Sequence, residues 1–233
     1  MISIIIPAHN EEKNLARLLP KLRIKSNDNV EVIVALSCVN SDDSEYLAFP
    51  NNVQFLKCTQ KGRAAQMNSA ADIAKGSILV FLHADVLPPE SFIEDILQTL
   101  STTYDAGFFS YRFDKENFLL KMNAKFTGKD SIFTGGGDQC LFIKKQVFFD
   151  LGKFNETQVL MEDFELFDRI KKNRIPYKIV KNDLIVSARK YRHNSYARVN
   201  LSNLILVLLF NFGCSSKMLK VVHDKLIRTP YNG

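Results

Sequence analysis

Cysteine is scarce in this sequence. The four present (Cys38, Cys58, Cys140 and Cys214) are dispersed, with no CxxC pair, which argues against a zinc site or a disulfide framework and fits a reducing compartment. Long apolar runs are missing too. Residues 2–6 are apolar but too few, and without a preceding basic segment, to form the core of a signal peptide. Residues 204–210 fall well below the roughly 20 needed to cross a bilayer. A cytoplasmic protein is expected. No basic block and no RNA-binding aromatic signature accompanies the net charge of +6, so a nucleic-acid partner is not expected. The positive balance suits a phosphate-bearing substrate or an anionic lipid equally well. Low-complexity segments and internal repeats are absent, and no GxGxxG follows the first apolar run, which argues against a dinucleotide-dependent oxidoreductase.

What is present is ordinary globular composition, 46% hydrophobic and 24% charged over 233 residues, enough for one α/β domain. Apolar β-branched runs alternate with helical periodicity in the first half, the pattern of parallel strands joined by crossover helices. Residues 2–6 read as a strand covered on both faces and ended by Pro7. Asn10 is placed to cap a helix with Glu11 and Glu12 in its first turn, with Leu15, Leu18, Leu19 and Leu22 inward and Pro20 bending or shortening it. Residues 30–36 and 53–58 read as strands. Residues 63–75 read as a helix opened by Lys61 and Gly62, with Met67, Ala70, Ala71 and Ala74 on one side and Gly76 as its stop. A fully apolar strand at residues 78–82 delivers His83, Ala84 and Asp85 to its carboxyl end. Pro88 and Pro89 start a helix that turns Phe92, Ile93, Ile96, Leu97 and Leu100 inward. Beyond it, Phe109, Tyr111 and Phe113 suggest a half-buried strand. Gly135 to Gly137 precede a short strand near residues 139–143, and residues 162–172 read as a helix with Phe164, Phe167 and Ile170 inward.

In open α/β sheets, ligands bind beyond the carboxyl ends of the parallel strands, so the polar residues there are the candidates. Three such ends line up: residues 7–12, 37–43 and 83–85. Taken in order, "IIIPAHNEE", "GRAAQMNSAADIAKGSILVFLHAD", "GGGDQCLF" and "MEDFELFDRIKK" resemble the family 2 glycosyltransferases of the GT-A fold over roughly residues 1–190. The phrase "FLHADVLPP" resembles a bacterial subgroup of small single-domain members. The resemblance implies a Rossmann-like, mostly parallel central sheet flanked by helices in a single domain spanning residues 1–233. Residues 1–100 would be its nucleotide-sugar-binding half, residues 101–195 its acceptor and catalytic half, and residues 196–233 a C-terminal helical segment. It further implies an inverting sugar transfer from a nucleotide-sugar donor to an acceptor hydroxyl, assisted by Mn²⁺ or Mg²⁺.

By that resemblance Asp85 is the metal ligand; in "ARKYRHNS", His193 is placed to complete the metal shell or to touch the diphosphate together with Arg189 and Arg192. Asp163 becomes the base, accompanied by Glu162. Pro7, Ala8, Glu11, Ser37, Arg63, His83 and Ala84 become donor contacts, and Gly136, Gly137, Asp138 and Gln139 acceptor contacts. The chemistry fits the residue types. A departing nucleoside diphosphate develops charge that a carboxylate-held divalent cation neutralises, and an attacking hydroxyl needs a positioned base. Each residue also has a plainer reading. Asp85 suits a turn, Glu162 and Asp163 a helix dipole, the glycines a flexible loop, Arg63 a helix surface and His193 a solvated surface.

Two departures stand out. The family's aspartate-x-aspartate is His83, Ala84 and Asp85 here, and its second-strand aspartate is replaced by Ser37, with Asp42 and Asp43 farther on, which leaves the nucleotide base open. Two rival functions are a nucleotidyltransferase, disfavoured by an acidic first loop without glycine, and a noncatalytic nucleotide- or sugar-binding module. Residues 201–212, flanked by Arg198 and Lys217, suit either core packing or a segment lying peripherally at the inner face of a membrane and presenting a lipid-linked acceptor.

Overall fold

A computed structural model describes residues 1–22, 29–47, 49, 52–115 and 117–227. Eight strands among them form one sheet in the order β3-β2-β1-β4-β7-β6-β8-β5. The first four are parallel: β1 (Ile2–Ala8), β2 (Val30–Leu36), β3 (Val53–Lys57) and β4 (Ile78–Phe81). Beyond β4 the sheet becomes mixed. Strand β7 (Leu141–Lys144) runs antiparallel to both β4 and β6 (Ala106–Phe113), β8 (Tyr177–Val186) is parallel to β6, and the two-residue β5 (Val86–Leu87) closes the far edge.

Alternation along the apolar strands feeds two cores. Ile2, Ile4 and Ile6 point to one face, where they meet Leu15, Leu18, Leu19 and Leu22, while Ile5 points to the other with Met67, Ala70 and Ala71. Helix α1 (Glu12–Leu18) and α3 (Phe92–Leu100) cover the first face; α2 (Arg63–Ile73), α5 (Lys145–Asp150) and α6 (Glu162–Lys172) cover the second. Burial of both faces explains why β1 and β4 read as continuous apolar runs. Helix α4 (Phe118–Thr127) lies along β6. Helices α7 (Tyr196–Asn211) and α8 (Ser216–Leu226) pack through Leu206, Val207 and Leu219 onto Met161, at the head of α6. Residues 228–233 of the expected C-terminal segment lie outside the described residues.

Several local expectations change. Asn10 does not cap α1; its backbone is left-handed (φ 54°) and its side-chain oxygen accepts from the Ser41 N–H at 2.8 Å, tying the first loop to the one after β2. The helix's free N–H at Glu12 is taken instead by Asp42, 2.8 Å away. Against the cost of burial, hydrogen bonds from Ser44, Glu12 and Asn40 hold the Asp42 carboxyl below its usual range, so this cap is ionised. Pro20 does end α1, inside a 3-10 turn at Leu19–Leu22. Gly76 is not the stop of α2, which ends at Ile73. A Cβ there would lie 2.6 Å from Ser3 Oγ and 2.7 Å from the Ser3 nitrogen, so Gly76 is needed where the chain brushes β1. Pro88 and Pro89 precede α3 rather than forming its first turn, and Leu97 is exposed while Thr99 takes the inward position. Strand β6 is covered on both faces along its first five residues and alternates only at Tyr111–Phe113, because Phe92 of α3 packs on Phe109 from one side and Phe167 of α6 on Phe108 from the other.

Candidate active site

The carboxyl ends of β1 and β4 open onto a cavity of about 840 Å³. Its walls bring together Pro7, Ala8, Glu11, Arg63, His83, Ala84, Asp85, Gly136, Gly137, Asp138, Gln139, Glu162 and Asp163. Thirteen expected site residues, scattered over 157 positions of sequence, thus share one space. Ser37 and His193 are not among its walls. Ser37 is held at the end of β2, where its N–H donates to the Ala8 carbonyl at 2.9 Å, and His193 is exposed on the turn before α7.

Gly137 is the point of closest convergence. A Cβ built on it would lie 2.5 Å from His83 Nε2 and 2.6 Å from Asp163 Oδ2, so only glycine lets the ends of β4 and α6 approach across this turn. Two strained residues flank the arrangement: Cys140 (φ 50°), leading into β7, and Met161 (φ 62°), the residue before α6. Left-handed backbone at non-glycine residues carries a cost that the surrounding packing must impose. Here it aims the first turn of α6 into the cavity. Neither strained position announces itself in the sequence, since Cys and Met have no turn preference.

The two neighbouring acids differ in environment. Glu162 is almost wholly buried, accepts a hydrogen bond from Arg63 Nε, and against the cost of burial that guanidinium holds it below the ordinary glutamate range. Asp163 faces the cavity. Enclosure by the walls, and then repulsion from Glu162, raises its pKa to about 7. Adjacent carboxylates whose acidities are driven apart are a recurrent sign of an acid–base site. Burial, followed by the nearby Arg63, lowers His83 to about 4, leaving a neutral imidazole whose Nδ1 stands 4.0 Å from Asp138.

Gln139, expected to meet the acceptor, is a structural clamp. Its oxygen accepts from the Gly135 N–H at 2.8 Å and its amide donates to the Thr127 carbonyl at 3.0 Å, fixing the glycine turn against α4. Gln66 carries no signal in the sequence, where it sits among helix-forming residues. Its buried amide donates to the carbonyls of Ala8 (3.0 Å) and Ala35 (2.7 Å), pinning the ends of β1 and β2 together. Substituting Gln66→Leu should cost about 2–3 kcal/mol, because two buried carbonyls lose their donor. Urea unfolding measures this; a loss below about 0.5 kcal/mol would mean that water replaces the amide.

The expected metal centre does not fit the residues as they are arranged. Among the described residues, no group of three or more His, Cys, Asp or Glu side chains is set to hold an ion. Asp85 is instead paired with Arg189, whose Nε lies 3.1 Å from Asp85 Oδ2 while its Nη2 lies 3.0 Å from Glu11 Oε1. Burial raises the pKa of Asp85, and Arg189 is the main opposing influence.

The sheet order and the position of this cavity are those of the GT-A fold, which the solved structures bear out. The mannosyltransferase PcManGT from Pyrobaculum calidifontis, in complex with GDP-Man and Mn²⁺, superposes with a TM-score of 0.67 at 16% identity, covering 97% of this chain and 68% of that one. Residues 1–349 of S. aureus TarS in complex with UDP-GlcNAc superpose with a TM-score of 0.65 at 15% identity, covering 98% and 74%. The sequence profile of glycosyl transferase family 2 matches residues 3–174, and the chain belongs to that family. An uncharacterized glycosyltransferase of Haemophilus influenzae is 26% identical over 194 residues, 77% of this chain and 65% of its own length. The glycosyltransferase GlyG of Streptococcus pneumoniae is 22% identical over 191 residues, 76% and 60%. The chain therefore spans somewhat less than two thirds of the length of these curated relatives. No helix among the described residues is long and apolar enough to cross a membrane.

Proposed function

We propose that the cavity binds a nucleotide-sugar and that the chain transfers its glycosyl group, with inversion, to an acceptor hydroxyl, Asp163 taking the hydroxyl proton. The observation that carries this reading is the meeting of Asp163 and His83 across Gly137, with an acid of pKa about 7 facing the cavity. A base acts best when its pKa lies near the working pH. In one displacement the acceptor oxygen bonds to the anomeric carbon as the bond to the diphosphate oxygen breaks. The electron pair leaves with the diphosphate and the proton passes to Asp163. Attack from the face opposite the leaving group inverts the centre.

Glu162 is the positioning residue in this reading: ionised and held by Arg63, it keeps Asp163 more basic than a lone aspartate. The first loop, His83 and Ala84 line the donor side, and Gly136 and Asp138 line the side left for the acceptor. Both solved relatives named above hold nucleotide-sugars, which supports a donor of that class, UDP- or GDP-linked. Two features support an amphiphilic acceptor and peripheral contact with a membrane. Phe126 and Ile132 are exposed at the cavity wall beside Lys129, Phe118, Lys121 and Lys125 are exposed along α4, and Leu201, Leu204 and Leu208 are exposed on α7 with Phe212 just past its end.

A ³¹P NMR time course with UDP- and GDP-sugars tests the donor reading. Release of nucleoside diphosphate from one carrier is expected, slow with water and faster when the acceptor is supplied. Tight binding with no release from any donor would favour a noncatalytic binding module, and release of pyrophosphate from a nucleoside triphosphate and a sugar phosphate would favour a nucleotidyltransferase.

A further inference from the structure

The family's fold implies a divalent cation beside the donor diphosphate, yet the strand-end carboxylates already have a cationic partner. All three nitrogens of the Arg189 guanidinium face them. Nε meets Asp85 Oδ2 at 3.1 Å, Nη2 meets Glu11 Oε1 at 3.0 Å, and Nη1 meets Glu11 Oε2 at 3.4 Å. The fork is built rather than casual. Its turn, Ala188–Tyr191, is anchored where the Ala188 N–H donates to Asp114 at 2.8 Å and the Arg189 N–H donates to Ser187 Oγ at 3.3 Å. Glu11 is oriented from behind by the Asn14 amide. Arg189 itself is only 28% exposed, Asp85 16% and Glu11 11%, so the cluster is shielded enough for its charges to matter. Lys190, the next residue, also lines the cavity.

Arg189 brings one positive charge to that pair of carboxylates and Lys190 adds a second on the same cavity wall, as many as a divalent cation would supply. Asp85 lies just beyond the carboxyl end of β4, so these charges stand at the strand end where the donor reading puts the diphosphate. Arginine differs from a metal ion in one useful respect: its planar fork carries further N–H donors that suit phosphate oxygens, and it stays charged at any working pH.

We infer that Arg189, with Lys190 beside it, is the cation of the donor site, holding the nucleoside diphosphate and neutralising it as it leaves without a divalent metal. This rests on the donor reading given above. The departing oxygen keeps the bonding electron pair, its charge is met by the guanidinium and ammonium, and no proton or co-reactant beyond the acceptor is required. Arg189 would then contribute most in the transition state, when the leaving charge is largest.

Calorimetric titration of UDP and GDP in EDTA and in Mn²⁺ tests the inference, together with the electron paramagnetic resonance signal of Mn²⁺ added to the protein without nucleotide. The wild-type chain should bind one diphosphate in EDTA and gain little from Mn²⁺. Loss of charge-assisted bonds in Arg189→Ala should weaken binding in EDTA by about tenfold or more. The same substitution takes the guanidinium away from Asp85 and Glu11, so it should also bind Mn²⁺ more tightly than the wild type. Arg189→Lys, which keeps the charge but loses the fork, should fall between the two in EDTA. Wild-type binding that disappears in EDTA and returns with Mn²⁺, with Arg189→Ala unimpaired in Mn²⁺, would overturn the inference and make Arg189 only a counterion displaced by the metal. Failure of either diphosphate to bind under any condition would instead overturn the donor reading on which it rests.

Discussion

Asp163→Asn is expected to lower the transfer rate by about 10²–10⁴-fold while leaving donor affinity little changed, the loss typical of removing a positioned base. The same residue sets the pH profile. Only the ionised carboxylate can accept the hydroxyl proton, so kcat/KM should rise with pH and level off above about 7 in the wild type, a limb missing from the variant. Stability should move the opposite way. The Asp163 carboxyl is held above its unfolded value, so between about pH 4 and 7 the unfolded chain gives up this proton before the folded one does. Its contribution therefore weakens across that window as pH rises. Asparagine cannot ionise, so the melting temperature of Asp163→Asn should overtake that of the wild type progressively from pH 4 to 7. Equal pH–rate profiles, or a stability difference independent of pH, would remove Asp163 from the role of base.

Gly137→Ala should be almost as damaging, although it adds one methyl group and no charge. Its Cβ would lie 2.5 Å from His83 Nε2 and 2.6 Å from Asp163 Oδ2, so both side chains must move. A displacement near 1 Å in a catalytic arrangement can cost about 100-fold in rate. The loss should appear mainly in kcat. Nucleoside diphosphate, which binds nearer Arg189 and the end of β4, should keep much of its affinity. The control is Gly136→Ala, where the added carbon finds Phe164 at an ordinary 3.4 Å and a much smaller loss is expected. Equal activities for both variants would mean that the crowding at Gly137 has no part in the chemistry.

Much of this site was legible because its residues follow strands whose sequences leave little alternative. The apolar runs of β1 and β4 and the two-sided burial they imply place Pro7, Ala8 and His83 to Asp85 at one edge. Helix α6 begins at Glu162 as its periodicity predicts. What could not be read depends on contacts between distant segments. Ser37 looks like a strand-end ligand, but its N–H closes onto Ala8. Gln139 looks like a substrate contact, yet both ends of its amide are held by the backbone. Gly76 looks like a helix stop, and only the approach of Ser3 accounts for it. Most consequentially, Arg189 follows Glu11 by 178 positions and Asp85 by 104, so its bond to both is a product of β8 returning beside β6, which no local pattern specifies.

The most direct test of the central claim is a crystal structure of Asp163→Asn bound to a nucleotide-sugar. The sugar's anomeric carbon should face residue 163 across Gly137, with the diphosphate at the end of β4 beside Arg189. A donor seated elsewhere, or one whose anomeric carbon points away from residue 163, would contradict the assignment of this cavity as the site of transfer.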